Sequence, residues 1–123
     1  MKLNKRVEYG IRAVEELYVT GEYVKAVELA KTIGTTKTFL EQILNALKKA
    51  NIVEIKRGRA GGCKVIDRDT AYTAYEVALA LGHSFNFNKN SGALLALNYA
   101  IQDAWMNVSL QTEANLKRRV SNE

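Results

Sequence analysis

The sequence predicts a mainly α-helical fold carrying one small β-hairpin, and three observations lead there. An amphipathic helix signal begins behind Thr36 and carries Phe39, Leu40, Ile43, Leu44 and Leu47 at helical spacing. Directly after it, Ile52, Val53, Glu54, Ile55 and Lys56 form a run of strand formers, and Cys63 to Ile66 read as the returning strand. Between the two lies Arg57-Gly58-Arg59-Ala60-Gly61-Gly62, a turn in which glycine permits backbone angles that other residues resist. A helix followed by a basic hairpin is the order of a winged helix-turn-helix, and the apolar periodicity of the last third of the chain adds a long C-terminal dimerisation helix.

The first helix is expected over residues 4–20, with Val7, Ile11, Val14, Leu17 and Tyr18 apolar, Gly10 on the same side for close packing, and Gly21 as its stop. A short second helix covers residues 26–33, with Val27, Leu29, Ala30 and Ile33 apolar and Gly34 ending it. Thr36 caps the third by accepting a hydrogen bond from a first-turn amide. Its outer face carries Lys37, Thr38, Glu41, Gln42, Asn45, Lys48 and Lys49. After the hairpin, a fourth helix over residues 72–81 packs Ala74, Val77, Ala78 and Leu81 back on the first. Residues 82–90 form an Asn-rich loop. From Ser91 the chain reads as one helix in which Leu94, Leu97, Ile101, Ala104, Trp105 and Val108 recur at three and four, with no proline to interrupt it. The sequence thus divides into a winged-helix unit, residues 1–82, and a C-terminal unit, residues 83–123, ending in a solvated tail with Lys117, Arg118 and Arg119.

At 123 residues, 47% of them hydrophobic, the chain can build one real core. No stretch approaches the roughly 18 apolar residues of a membrane span, and the N-terminus has no signal-peptide pattern. A single cysteine forms no internal disulfide, so the expected compartment is the cytoplasm. The net charge of +5 is unevenly spread: through Arg68 fourteen Lys and Arg face eight Asp and Glu, and from Asp69 onward four face five. The basic half is the one holding helix and hairpin, which suits a polyanionic partner.

An enzyme is not expected. There is no phosphate-cradling glycine loop after a strand, no metal-ligand pair, and neither Cys63 nor His83 has an evident third partner. Double-stranded DNA suits the polar helix face and the basic loop, because a helix fits the major groove while hairpin arginines reach phosphates or the minor groove. Lys37, Thr38, Glu41 and Gln42 are the expected readers and Lys56, Arg57 and Arg59 the expected wing contacts, with Lys64 also at the hairpin. For Glu41 the bland alternative is an ion pair with Lys37. Leu94, Leu97, Ile101, Trp105 and Val108 form a stripe that either folds back or meets a second chain, and a homodimer interface is the preferred assignment. His83 reads as a loop residue covering the core. Tyr72, Tyr75, Phe85, Phe87, Tyr99 and Trp105 read as core or interface, with a small-molecule or protein effector left open. Cys63 lies among Lys56, Arg57, Arg59 and Lys64, a setting in which nearby positive charge favours a thiolate and makes a redox role possible; a small residue filling a strand position is the preferred reading.

These residues resemble the Rrf2 family of bacterial winged-helix regulators, typified by the iron-sulfur cluster regulator and the nitric-oxide-sensing and cysteine-metabolism repressors. The likeness lies in Tyr9 to Val14, in Leu29-Ala30, in Phe39-Leu40-Glu41-Gln42-Ile43-Leu44 with Leu47 and Lys49-Ala50, and in Arg57-Gly58 with Gly61-Gly62. The resemblance implies a homodimeric DNA-binding transcription regulator whose long helices form the dimer interface; a sequence-specific regulator is the reading adopted, with a repressor preferred to an activator. Relatives place three cysteines in the loop before the long helix to hold an iron-sulfur cluster; residues 82–90 contain none, so no metal or other cofactor is expected. The wing departs too, with Arg59 and Ala60 where relatives favour proline and glycine and Cys63 where they carry an aromatic. The competing reading is a winged-helix module that no longer binds DNA and serves in protein contacts.

Overall fold

A computed structural model describes residues 4–84 and 92–112, apart from the side chains of residues 94 and 95. The interface assignment of Leu94, the aromatics Phe85 and Phe87 and the basic tail lie outside the described residues. The element order is α1 (Lys5–Thr20), α2 (Ala26–Ile33), α3 (Lys37–Lys49), β1 (Val53–Lys56), β2 (Gly62–Val65), α4 (Ala74–Ala80) and α5 (Gly92–Met106). It is a mainly helical architecture with one antiparallel hairpin, Val53 facing Val65 and Lys56 facing Gly62.

Local chemistry sets most of these boundaries. Asn4 caps α1 by accepting from Val7 N at 2.8 Å, and Thr36 caps α3 by accepting from Phe39 N at 3.2 Å. The end of α3 uses Asn51 in the left-handed region, φ +61°. That turn lets Asn51 N donate to Lys48 O and Ile52 N to Leu47 O, closing the helix and aiming the chain into β1. The fourth helix starts later than the periodicity predicts because Thr73 is spent as its cap, accepting from Glu76 N. Tyr72 instead stays outside the helix and buried, its hydroxyl placed to donate to the carbonyl of Ile66 at 2.9 Å, with that of Asn51 at 3.2 Å.

α1 is the centre of the packing, touching α2, α3, α4 and β2. Val7, Val14 and Leu17 of α1 are fully buried with Leu29, Leu40, Ile43, Leu47 and Val77. At roughly 1.5–3 kcal/mol for each large side chain, this cluster is the main stabilising term. Gly10 lies where α4 crosses α1: a Cβ there would meet Leu81 Cδ1 at 2.0 Å.

Two features correct the sequence reading. The helix expected to run uninterrupted through Val108 stops at Met106. The chain then doubles back: Ala74 N donates to Val108 O, Leu110 N donates to Tyr72 O, and Leu110 is buried in the core. The carbonyl of Tyr72 and the amide of Ala74, the first residue of α4, offer backbone partners that outweigh two more helical residues. The second feature is a backbone pair between Val24 and Cys63, which attaches the α1–α2 connection to β2 as a third, one-residue strand. Among the described residues, no helix is long and apolar enough to cross a membrane.

Candidate nucleic-acid interface

The polar face of α3 is free of the core. Lys37, Thr38, Glu41, Gln42 and Asn45 are all exposed, while Leu40, Ile43, Leu44 and Leu47 are buried on the opposite side. The cap at Thr36 fixes where the first turn begins, and so which side chains its open end presents. Lys37 Nζ lies 3.5 Å from Glu41 Oε1, with the two side chains 60% and 51% exposed. Such a pair is worth only a few tenths of a kcal/mol, so it breaks readily when a better partner arrives. Asn45, about one turn beyond Gln42, shares the outward ridge of Thr38 and Gln42, with Glu41 on its flank; the helical spacing alone already carried that signal.

The wing stands beside this ridge. Lys56, Arg57 and Arg59 are exposed, and neither arginine meets a carboxylate among the described residues. Lys64 does not project from the tip: it is half-buried, with its Nζ 5.7 Å from the centre of the Tyr23 ring. Lys56 Nζ sits 5.5 Å from the same ring. Tyr23 also donates its hydroxyl to Glu54, and that bond holds the phenol above its ordinary pKa. Lys25 Nζ donates to the carbonyl of Gly58 at the wing turn. Residues 23–25 therefore brace the hairpin from tip to base, a role that no local pattern announces because the partners are some 30 residues away in sequence.

At Cys63 the cations that are near in sequence do not surround an exposed thiol. The residue is 2% exposed, its Sγ donates to Val24 O at 3.2 Å, and burial pushes its pKa up to about 11. Position in sequence puts it near four cations, but the strand turns the thiol inward against Val24 O, leaves Lys56, Arg57 and Arg59 exposed and lays Lys64 over Tyr23. A cleft of about 260 Å³ separates α3 from the wing, between Glu41, Leu44 and Asn45 on one side and Ile55 and Gly62 on the other.

The residues assigned to a dimer interface do not behave as one stripe. Ile101 and Trp105 are half-buried against the core of their own chain, and the His83 ring stacks on Trp105 with centroids 5.7 Å apart. Leu97 and Val108 are exposed, as are Tyr99 and Met106.

The sequence model of the Rrf2 family, described as an iron-dependent transcriptional regulator, matches residues 3–120. Protein aau3 of Rhizobium meliloti (strain 1021) is 31% identical over 86 residues, 69% of this chain and 56% of that protein. A Mycobacterium tuberculosis (strain CDC 1551) protein named as an HTH-type transcriptional regulator is 32% identical over 79 residues, 63% of this chain and 49% of that protein. The chain spans about half the length of the curated relatives it matches. Among solved structures, CymR, the global cysteine regulator of B. subtilis, matches with a TM-score of 0.83 at 19% identity, over 94% of this chain and 98% of that one. IscR of T. potens matches at 0.77 and 23% identity, over 95% and 87%. Identities this low establish likeness of fold.

The donor set does not fit the iron-sulfur cluster that the sequence resemblance brings into question. A cluster takes several thiolates, and the chain has one cysteine, buried and hydrogen-bonded within the wing. Among the described residues no three His, Cys, Asp or Glu side chains are placed to hold a metal ion.

Proposed function

This chain belongs to the Rrf2 family of transcription regulators, and from that premise we propose that it is a homodimeric repressor that reads duplex DNA without an iron-sulfur cluster. One observation carries the reading: the exposed first turns of α3, with Thr38, Glu41 and Gln42, stand beside a braced wing bearing Lys56, Arg57 and Arg59. In this reading Gln42 pairs with an adenine edge, Glu41 leaves Lys37 to accept from a cytosine amino group, and Thr38 meets a base edge or a phosphate. Arg57 and Arg59 reach phosphates or the adjoining minor groove, with Lys56 beside them. Repression follows from occupancy of promoter DNA.

The homodimer is proposed on α5. That helix has one charged residue, Asp103, and leaves Leu97, Tyr99 and Met106 exposed while Ile101 and Trp105 already face the core. A helix apolar on both sides asks for a second cover, and a second copy supplies it with the symmetry that sets two reading helices about one turn of DNA apart.

A mobility shift with DNA from upstream of the chain's own gene tests the function. A retarded species that weakens steeply as salt rises is the expected result, since a dimer neutralises on the order of 6–10 phosphates. Arg59→Ala lowers affinity on all sequences, and Gln42→Ala relaxes preference at one base pair. Absence of any shifted species at micromolar protein would sink the proposal. Protein purified without oxygen is expected to be colourless, and stoichiometric iron and sulfide would overturn the cluster-free part.

A further inference from the structure

We infer that Lys5 and Arg12 of α1 form a third anchor for the DNA backbone, on the flank of α3 opposite the wing; the inference rests on the DNA-binding reading above. Lys5, Tyr9 and Arg12 stand at i, i+4 and i+7 and share one face of α1. Lys5 Nζ lies 5.9 Å and Arg12 Cζ 5.5 Å from the centre of the Tyr9 ring, within cation–π range. The same ring meets Phe39 edge-on, with centroids 5.9 Å apart and planes at 84°. Phe39 belongs to the first turn of α3, the end offered to the groove. One aromatic pair thus ties two cations to the reading end of the helix.

The placement follows from helix geometry. Successive residues turn by about 100° around α3. With Thr38, Gln42 and Asn45 as the outward ridge, Glu41 falls on one flank and Phe39 on the other. Glu41 borders the wing, across the cleft it lines with Ile55. Phe39 borders α1. A helix lying in the major groove has a phosphate backbone on each side, so the wing serves one strand and the Tyr9 face the other.

The charge on this face is available. Lys5 and Arg12 are exposed. The ion pairs of the described residues engage Lys31, Lys37 and Arg68, and neither α1 cation meets a carboxylate there. Resting on a ring restricts both side chains before any phosphate arrives, which reduces the ordering cost of the contact.

Fluorescence anisotropy of the full chain tests this on two labelled duplexes, one carrying its own upstream site and one of unrelated sequence, across about 50–200 mM salt. Each lost phosphate contact lowers the slope of log affinity against log salt by about 0.9. Lys5→Ala/Arg12→Ala is expected to lower it by about 2 per protomer, with equal loss of affinity on both duplexes; Arg59→Ala serves as the wing comparator. An unchanged slope in the double variant, in a protein that binds and whose slope responds to Arg59→Ala, overturns the anchor alone. A loss confined to the specific duplex overturns it too, because backbone contacts carry no sequence preference. Failure of the unmodified protein to bind either duplex overturns the DNA reading, and this one with it.

Discussion

Gly62→Ala is the substitution that tests the wing's construction most directly. Gly62 has φ +145°, and a Cβ there would lie 2.5 Å from Val24 O, 2.6 Å from Val24 C and 3.0 Å from Lys25 N. All three are backbone atoms, so no side-chain rotation relieves the overlap. Either the wing or the 23–25 segment must move, and the pair of bonds between Val24 and Cys63, 2.9 and 2.8 Å long, is lost. Two hydrogen bonds at about 0.5–1.5 kcal/mol each and a strained φ at about 1–3 kcal/mol give roughly 2–6 kcal/mol of destabilisation. For a chain of this size that lowers Tm by on the order of 10–20 °C. Gly58→Ala is the control: its φ is +103° but nothing lies within 4 Å of the added carbon, so it bears only the left-handed cost, about 1–2 kcal/mol. Thermal unfolding followed by far-ultraviolet circular dichroism compares the two. Equal Tm values for both variants would refute the argument that β2 is held by close backbone approach to residues 23–25.

Thr36→Ala removes the oxygen that accepts from Phe39 N and is expected to cost about 1 kcal/mol in urea denaturation, with Thr36→Ser close to the unmodified protein; a neutral alanine variant would deny the cap its role. Burial raises the Cys63 pKa from 9.0 to about 11, so the folded state keeps its proton after the unfolded chain has lost it. The stability this contributes is whole below pH 9.0 and falls as pH rises toward 11, by about 2–3 kcal/mol. Subtracting the Cys63→Ala stability profile from the unmodified one isolates the effect, and a flat difference over that window would contradict it. Leu97→Asp, at a residue 48% exposed, is expected to shift dimer to monomer in light scattering with folding stability unchanged. Ile101→Asp, against the core, should lower stability itself, and a Leu97→Asp protein that remains dimeric would remove α5 from the interface.

Much of this architecture is written locally. The 3.6-residue period of Val7, Val14 and Leu17, and of Leu40, Ile43 and Leu47, names helices and their inner faces, and Asn4 and Thr36 mark two starts, because caps and periodicity act within one or two turns. The hairpin was legible for the same reason, from strand formers around a glycine turn. So were the exposed polar ridge of α3 and the arginines of the wing. What sequence left undecided depends on pairs far apart along the chain. Nothing near Val108 tells it to stop a helix; the free backbone groups of Tyr72 and Ala74 do, more than 30 residues upstream. Nothing near Cys63 separates an activated thiolate from a buried thiol until Val24 covers it and Tyr23 draws Lys56 and Lys64 aside. Nothing local links Lys5 and Arg12 to the reading helix either; the contact of Tyr9 with Phe39 does. Burial and hydrogen bonding at these places are set by which surfaces meet, and only tertiary packing chooses them.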